Sequence, residues 1–269
     1  MKALSVILIT WNSMRHAKPC LDALIAALDG VDYEIIMVDN GSTDGTVALL
    51  RQYTGTDVRL YCNDKNLGVA AARNMGLQKA TGKLLWLLDI DTVVNRGAWL
   101  GLSSFMDTHG DCGACGCKLL SRSGEVQDSC RRLPSVRHKL LNVVVSLCGR
   151  SPVFKRLGNW AMRRNEKQYY HQQMLASDPF EVEYVIGACQ LLRSEAVRET
   201  GLLDERIFYG PEDADYCLRL SKKGWKIYYL PYCSFTHDYQ RMTNKRLFTP
   251  MGWRHLKALV YFFVKHRRF

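Results

Sequence analysis

Apolar residues gather in short unbroken blocks near the start of the chain, and each block ends in polar groups. Residues 4–10, 34–39 and 84–88 have this form, and the shorter, less apolar 58–62 predicts a further strand between them. Blocks of this length, continuous rather than alternating, predict strands buried on both faces of a parallel sheet. Between them the spacing changes. Leu21, Leu24, Ile25 and Leu28 recur at helical intervals, and residues 43–52 and 69–80 predict two further helices, with Gly82 as the C-terminal stop of the second. Strand and helix alternate, which defines an α/β domain with a largely parallel, Rossmann-like sheet flanked by helices.

The second half is less regular. Residues 98–106 predict a helix, and 113–120 a strand that turns at Ser123-Gly124 into 125–129. Residues 131–167 are basic and interrupted by Pro134, Pro152 and Gly158. They form either a solvated insertion or an anion-binding loop or lid. Residues 182–193 predict a strand through Gly187-Ala188, and Ser194 caps a helix that Gly201 ends. Glu212, Asp213 and Asp215 open a helix closed by Gly224, and residues 226–231 form a strand leading to His237. Near the end, Trp253, Leu256, Leu259, Val260, Phe263 and Val264 fall on one broad side of a helical wheel, with Arg254, Lys257, Lys265 and Arg268 on the opposite flank. Such a basic amphipathic helix either packs on the domain or lies in an anionic membrane surface. The expected organisation is one catalytic domain over 1–249, with a basic variable insertion at 131–180, followed by the helix at 250–269.

Composition narrows the partners. The 269 residues are 47% hydrophobic, enough for a sizeable core, and carry a net charge of +11, which calls for an anionic partner. No run is long enough to span a bilayer, and the N-terminal apolar run is too short for a signal peptide. A cytoplasmic protein, peripheral on the inner membrane face, is the expectation. Cys112, Cys115 and Cys117 raise the question of zinc, but no second cysteine or histidine pair stands at ligand spacing. Buried free thiols explain them better.

The chemistry concentrates where apolar blocks end. The fourth strand runs into Asp89-Ile90-Asp91, two carboxylates on one side of an extended chain. At the carboxyl end of a parallel strand such a pair suits a hard divalent cation that bridges to phosphate. No G-x-G-x-x-G follows the first strand, so the usual dinucleotide loop is missing. Instead the first strand ends in Thr10-Trp11-Asn12 and the second in Asp39-Asn40-Gly41-Ser42. These groups could form a nucleotide pocket, with Asp39 accepting the N–H of a pyrimidine, or Asp39 could simply belong to a turn. The acids at 212–215 either complement a helix dipole or serve as general bases.

Taken in order, these motifs resemble glycosyltransferase family 2, the inverting nucleotide-sugar transferases of the GT-A fold. The set comprises Thr10-Trp11-Asn12, Asp39-Asn40-Gly41-Ser42, Asn66-Leu67-Gly68 with Arg73-Asn74, Asp89-Ile90-Asp91, Gly187-Ala188 and Glu212-Asp213-x-Asp215. The later portion, through Arg131-Arg132-x-Pro134 to His237, is similar to the rhamnosyltransferase-like branch that builds bacterial surface polysaccharides. The resemblance implies roles. Asp39 would hold the nucleobase, with Thr10, Asn12 and Arg73 lining the donor pocket beside Gly187 and Ala188. Asp89 would contact the ribose, and Asp91 would bind Mg2+ or Mn2+, with His237 as a further ligand. Asp213 would be the catalytic base, with Glu212 and Asp215 on the acceptor side. The Q-x-x-R-W motif of processive synthases is absent, since Cys217-Leu218-Arg219-Leu220 follows the acids. The enzyme would therefore add one sugar or a few.

The expected partners are a nucleoside-diphosphate sugar, a glycan or polyprenyl-diphosphate-linked acceptor and an anionic membrane surface, but not nucleic acid. Two alternatives remain at this point. A sugar-phosphate nucleotidyltransferase would usually show a Gly-rich basic loop after the first strand. A basic nucleic-acid-binding or membrane-binding protein would carry the charge without catalysis, yet no helix-turn-helix, zinc-finger or RNP pattern is present.

Overall fold

The computed structural model describes residues 1–137, 139–141, 160, 164, 169–171, 173–238 and 250–267. The first half forms as expected: β1 (Leu4–Thr10), α1 (Met14–Ala27), β2 (Tyr33–Asp39), α2 (Thr46–Arg51), β3 (Val58–Cys62), α3 (Val69–Lys79) and β4 (Leu84–Asp89). The four strands are parallel, in the order β3-β2-β1-β4. Their side chains alternate between two cores. Val6, Leu8, Trp86 and Leu88 pack with Leu21 and Leu24 of α1, while Ile7, Leu85 and Leu87 face the other way. Both faces are covered, which is why these strands read as continuous apolar blocks.

After β4 come β5 (Thr92–Val93), α4 (Arg96–Thr108), β6 (Cys112–Leu120), β7 (Cys130–Arg131), β8 (Phe180–Glu181), β9 (Tyr184–Val185) and β10 (Cys189–Arg193). Then follow α5 (Ser194–Thr200), α6 (Glu212–Lys222), β11 (Lys226–His237) and α7 (Pro250–His266). The main sheet continues β4-β10-β6-β11-β5, with β10 antiparallel to both of its neighbours. The sheet is thus mixed, with its parallel part carrying the first half. β11 extends past the expected stop at Pro231 and slips register against β6 between Leu230 and Ser234. That extension delivers His237 to the end of β4, beside Asp91.

Several expectations need correction. The strand predicted over 182–193 breaks at Gly187-Ala188, because β9 leaves the main sheet to pair with β7. Gly82 does not cap α3, which ends at an extended Ala80. Its missing side chain instead lets the chain pass the backbone nitrogen of Ser5, where a Cβ would stand only 2.5 Å away. Ser194 is the first residue of α5 rather than its cap, and its hydroxyl accepts from Arg198. The helix expected from residue 43 begins at Thr46, since Asp44 holds the Thr46 N–H in a turn. Residues 125–129 form a single bridge, Leu120 to Val126, rather than a strand. Most of the basic segment expected over 131–180 lies outside the described residues.

The C-terminal helix settles onto the domain. Ala258, Leu259, Phe262 and Phe263 are buried, and the last three join the core beneath α6. Trp253, Leu256, Val260 and Val264 stay about half exposed on the outside. The one broad apolar side read from the sequence is therefore two rows, of which only the outer faces solvent. Lys265, expected on the solvent flank, turns inward to Asp204 and Asp215. No described helix is long and apolar enough to cross a membrane. Cys112, Cys115 and Cys117 are buried free thiols, with Cys115 and Cys117 pushed far up by burial. Among the described residues, the group placed to hold a metal is Asp89, Asp91 and His237.

Candidate active site

The carboxyl ends of parallel strands gather ligands, because chain direction and crossover loops leave a crevice there. Here β1 and β4 open onto a cavity of about 350 Å³ lined by Thr10, Trp11, Asn12, Asn40, Asp89 and Asp91. Asn12 sits in the left-handed region at φ 49°, which asparagine tolerates. Its Oδ1 accepts the Thr43 N–H at 2.8 Å, tying the end of β1 to the loop after β2. Asp39 does not point into this cavity. It is 1% exposed, and its carboxylate accepts from Thr10 Oγ1 at 2.8 Å and from the Gly41 and Ser42 N–H groups. In this position Asp39 fixes Thr10 and the 40–42 turn at the edge of the cavity.

At the cavity floor, ligand atoms of Asp89, Asp91 and His237 all lie within 4.8 Å of one another. His237 Nε2 stands 3.3 Å from Asp91 Oδ1. Its Nδ1 lies 2.7 Å from Gln127 Oε1, and Gln127 Nε2 donates to the His237 carbonyl at 2.8 Å. With the Nδ1 proton on Gln127, Nε2 is left as a lone pair facing the carboxylates. Burial pulls His237 down, but Asp91 and Asp89 raise it above the ordinary histidine value. Two carboxylates and one imidazole within a few ångströms fit Mg2+ or Mn2+.

Arg73 lines a second cavity of about 390 Å³, which adjoins the first and shares Val69, Asp89, Tyr209 and His237 with it. It comes from α3, is 2% exposed, and its Nη2 donates to Asp89 Oδ1 and to the Gly187 carbonyl, both at 2.8 Å. Its Nη1 lies 3.7 Å from Glu212 Oε1. Arg73 thus bridges the two cavities rather than lining the first. Gly187 earns its place here, since any side chain would overlap the guanidinium. Ala188 lines the second cavity beside it.

Glu212 and Asp213 open α6 at the second cavity. Asp213 Oδ1 accepts the Ala214 N–H at 2.7 Å and Oδ2 the Gly187 N–H at 3.3 Å, which holds the carboxylate in place. Burial raises Asp213 above the usual carboxylate range. Burial, with Asp213 beside it, raises Glu212 to about 7, although Arg73 opposes the shift. Burial thus holds both carboxyls above the usual range, which brings them toward the range a general base needs at neutral pH. Glu212 Oε2 and Arg73 Nε and Nη1 are buried without a hydrogen-bond partner among the described residues. Buried polar atoms left open at a cleft are donors and acceptors for a ligand.

Asp215 does not belong to this group. It is fully buried on the far side of α6, where Lys265, His266 and Arg219 contact it at 2.6, 2.8 and 2.9 Å. Two residues beyond Asp213, it points away from the acceptor side because helical spacing turns it by about 200°. The expected acceptor contact is corrected to a clasp that holds α7. Sequence reasoning also missed Gln127, Tyr209 and His255. His255 comes from α7 and lines the second cavity, with Nδ1 3.0 Å from the Gly210 carbonyl. No local motif marks these residues; only the folded chain brings them in.

A sheet with acids at its carboxyl edge, a carboxylate–imidazole cluster and a buried acid pair across an arginine define a GT-A transferase. The chain belongs to glycosyl transferase family 2, whose model matches residues 5–201. It is a glycosyltransferase. A curated relative from Mycobacterium tuberculosis, N-acetylglucosaminyl-diphospho-decaprenol L-rhamnosyltransferase, is 26% identical over 98% of this chain and 85% of its own length. Among solved structures, the mannosyltransferase of Pyrobaculum calidifontis with GDP-Man and Mn2+ aligns at TM-score 0.64 and 18% identity, over 100% of this chain. GalNAc-T7 with UDP, GalNAc and Mn2+ aligns at 0.69 and 17% identity, over 98% of this chain. This chain spans 65% and 48% of those two chains, which share its fold.

Proposed function

We propose that this protein is an inverting, metal-dependent, non-processive glycosyltransferase that moves a sugar, rhamnose being the first candidate, onto a hydroxyl of a glycan or lipid-linked acceptor in surface-polysaccharide synthesis. One observation carries this reading: Arg73 joins Asp89, which lines both cavities, to Glu212 of the acid pair that lines the second. A donor bound on one side and an acceptor on the other would meet at this junction. The rhamnose and the diphospho-lipid acceptor are taken from the relative's name.

In this reading Thr10, Trp11 and Asn12 receive the nucleoside, with Asp39 bracing them from behind. Asp89 takes the ribose, while Asp91 and His237 hold Mg2+ or Mn2+. When bound, the ion supplies positive charge against the donor diphosphate. Asp213 takes the proton of the acceptor hydroxyl as that oxygen attacks the anomeric carbon. The bond from that carbon to the diphosphate oxygen breaks, its electron pair leaves with the nucleoside diphosphate, and the configuration inverts. Glu212, beside Asp213, accepts from the acceptor sugar.

The outer row of α7 supports work at a membrane. Trp253, Leu256, Val260 and Val264 face solvent, with Arg254 and Lys257 exposed among them. Near an anionic leaflet each such cation adds about 1 kcal/mol. We place the enzyme on the cytoplasmic face, peripherally attached. The test is a panel of UDP-, GDP- and dTDP-sugars with Mg2+ or Mn2+, read by thermal stabilisation and turnover, followed by NMR of the product. One donor should stabilise and react in a metal-dependent way, with the anomeric configuration inverted. Retention, or no turnover of any nucleotide sugar, would overturn the reading.

A further inference from the structure

We propose that Arg131 and Lys139 form an anion subsite on the acceptor side, taking a phosphate or diphosphate carried by the acceptor next to its reacting sugar. This subsite presupposes the glycosyl-transfer reading above and adds the acceptor's charge to it.

Both residues line the second cavity together with Asp213. Several cations packed on this domain are answered by a carboxylate, among them Lys2, Arg59, Lys226, Arg219 and Lys265. Arg131 and Lys139 have no carboxylate within 4 Å among the described residues. Arg131 donates through Nε to the Asp128 carbonyl at 3.0 Å and lies over the Tyr169 ring. Asp128, the nearby acid, is taken by His171 at 2.7 Å. Lys139 stands on the helical turn after Pro134, its N–H bonded to the Ser135 carbonyl, and its ammonium has no partner among the described residues. Burial, and Arg131 beside it, lower Lys139 below the usual lysine value. Lys139 thus carries a cost of burial and of repulsion from Arg131 that Asp213 in the same cavity offsets only in part, and an arriving anion relieves it.

The position assigns this anion to the acceptor rather than the donor. The first cavity, where Asp91 stands, is not lined by either cation. The opposite wall of the second cavity is α7, with His255 and Leu259 inside. Burial lowers His255, and a neutral imidazole donating Nδ1–H to the Gly210 carbonyl adds no charge. The outer apolar row of the same helix starts at Trp253, so a hydrocarbon tail leaving the subsite would meet apolar surface.

The test uses the full-length protein and two acceptors with the same sugar, one linked through a diphosphate to a short water-soluble alkyl chain and one an uncharged alkyl glycoside. In Lys139→Met and Arg131→Gln, KM for the diphosphate acceptor should rise roughly tenfold to a hundredfold. KM for the uncharged glycoside and the Kd of the nucleotide sugar should stay within about twofold. Lys139→Arg should restore most of the loss, which separates charge from packing. Inorganic pyrophosphate should compete with the diphosphate acceptor in the wild type and fail to do so in Lys139→Met. The soluble alkyl chain removes the membrane, so a preference that appears only on vesicles would mean that the lipid surface, not this subsite, reads the charge. An equal loss for both acceptors, or a weakened nucleotide-sugar Kd, would give the cations to the donor and overturn the subsite. If the wild type turns over no nucleotide sugar at all, it is the glycosyl-transfer reading that fails.

Discussion

Arg73 Nη1 lies 3.7 Å from Glu212 Oε1 while its Nη2 holds Asp89 at 2.8 Å. One buried cation therefore sets the charge on both sides of the cleft. Removing it should leave Glu212 more easily protonated, because Arg73 is what holds its value down against burial. Arg73→Met should shift the acidic limb of the rate profile to higher pH and destabilise the fold by about 3–5 kcal/mol, the usual result of breaking a buried pair. A pH-rate series and a denaturant melt check both. An unmoved limb would disconnect Arg73 from the acid pair.

Asp213→Asn keeps the side chain's size but cannot take a proton. Transfer should fall by about 10²–10⁴-fold while nucleotide-sugar binding changes little. In the wild type the rate should climb with pH as the Glu212–Asp213 pair, which burial raises above the usual carboxylate range, loses its protons. The sign follows from the role: the protonated pair cannot act as a base. Steady-state kinetics of both proteins from pH 5.5 to 9 would show it, and near-normal turnover in the variant would remove Asp213 from the chemistry.

Asp91→Ala and His237→Ala should each weaken Mn2+-dependent binding of the nucleotide sugar, the first more than the second. Gln127→Leu, which never touches the ion, should have a smaller effect of the same sign, roughly tenfold, by freeing the imidazole tautomer. Calorimetric titration of donor with and without Mn2+ reads all three. Wild-type activity that survives exhaustive chelation would contradict the assignment.

The two faces of α7 should separate in experiment. Phe262 is fully buried, so Phe262→Ala should cost roughly 3–5 kcal/mol of stability. Replacing Trp253, Leu256 and Val260 together by serine should leave the melting temperature nearly unchanged. It should abolish co-sedimentation with anionic vesicles. If the triple variant still sediments, the outer row is not the membrane face.

The first half of the fold was legible because β1, β2 and β4 are covered on both faces and so wrote themselves as apolar blocks, while the edge strand β3 is half-exposed. The second half was not. The break at Gly187 depends on Arg73 arriving from α3, more than a hundred residues earlier, and no local pattern encodes that. The positions of Asp89, Asp91, Glu212 and Asp213 followed from motifs, since acids at strand and helix ends have few other reasons to stand together. Asp39 and Asp215 came from the same motifs, but the structure turns both inward, one to brace a loop and one to clasp a helix. A motif fixes residue type and spacing; only packing decides which way each carboxylate faces. His255 and Gln127 carried no signal, because each acts through a contact with a distant backbone carbonyl or ring.

Helix α6 presents its acids in two directions, Glu212 and Asp213 to the cleft and Asp215 to the last turn of α7. The reactive carboxylates and the C-terminal clasp are thus separated by less than one helical turn. Warming should loosen α7 before the central sheet, since a terminal helix held by one buried apolar row and by polar contacts at its last turn opens as a unit of its own. Catalytic output would then fade at temperatures where the sheet is still intact, and return on cooling. The enzyme would have a reversible thermal off-state lying below its melting point, set by the Phe262 row together with Lys265 and His266.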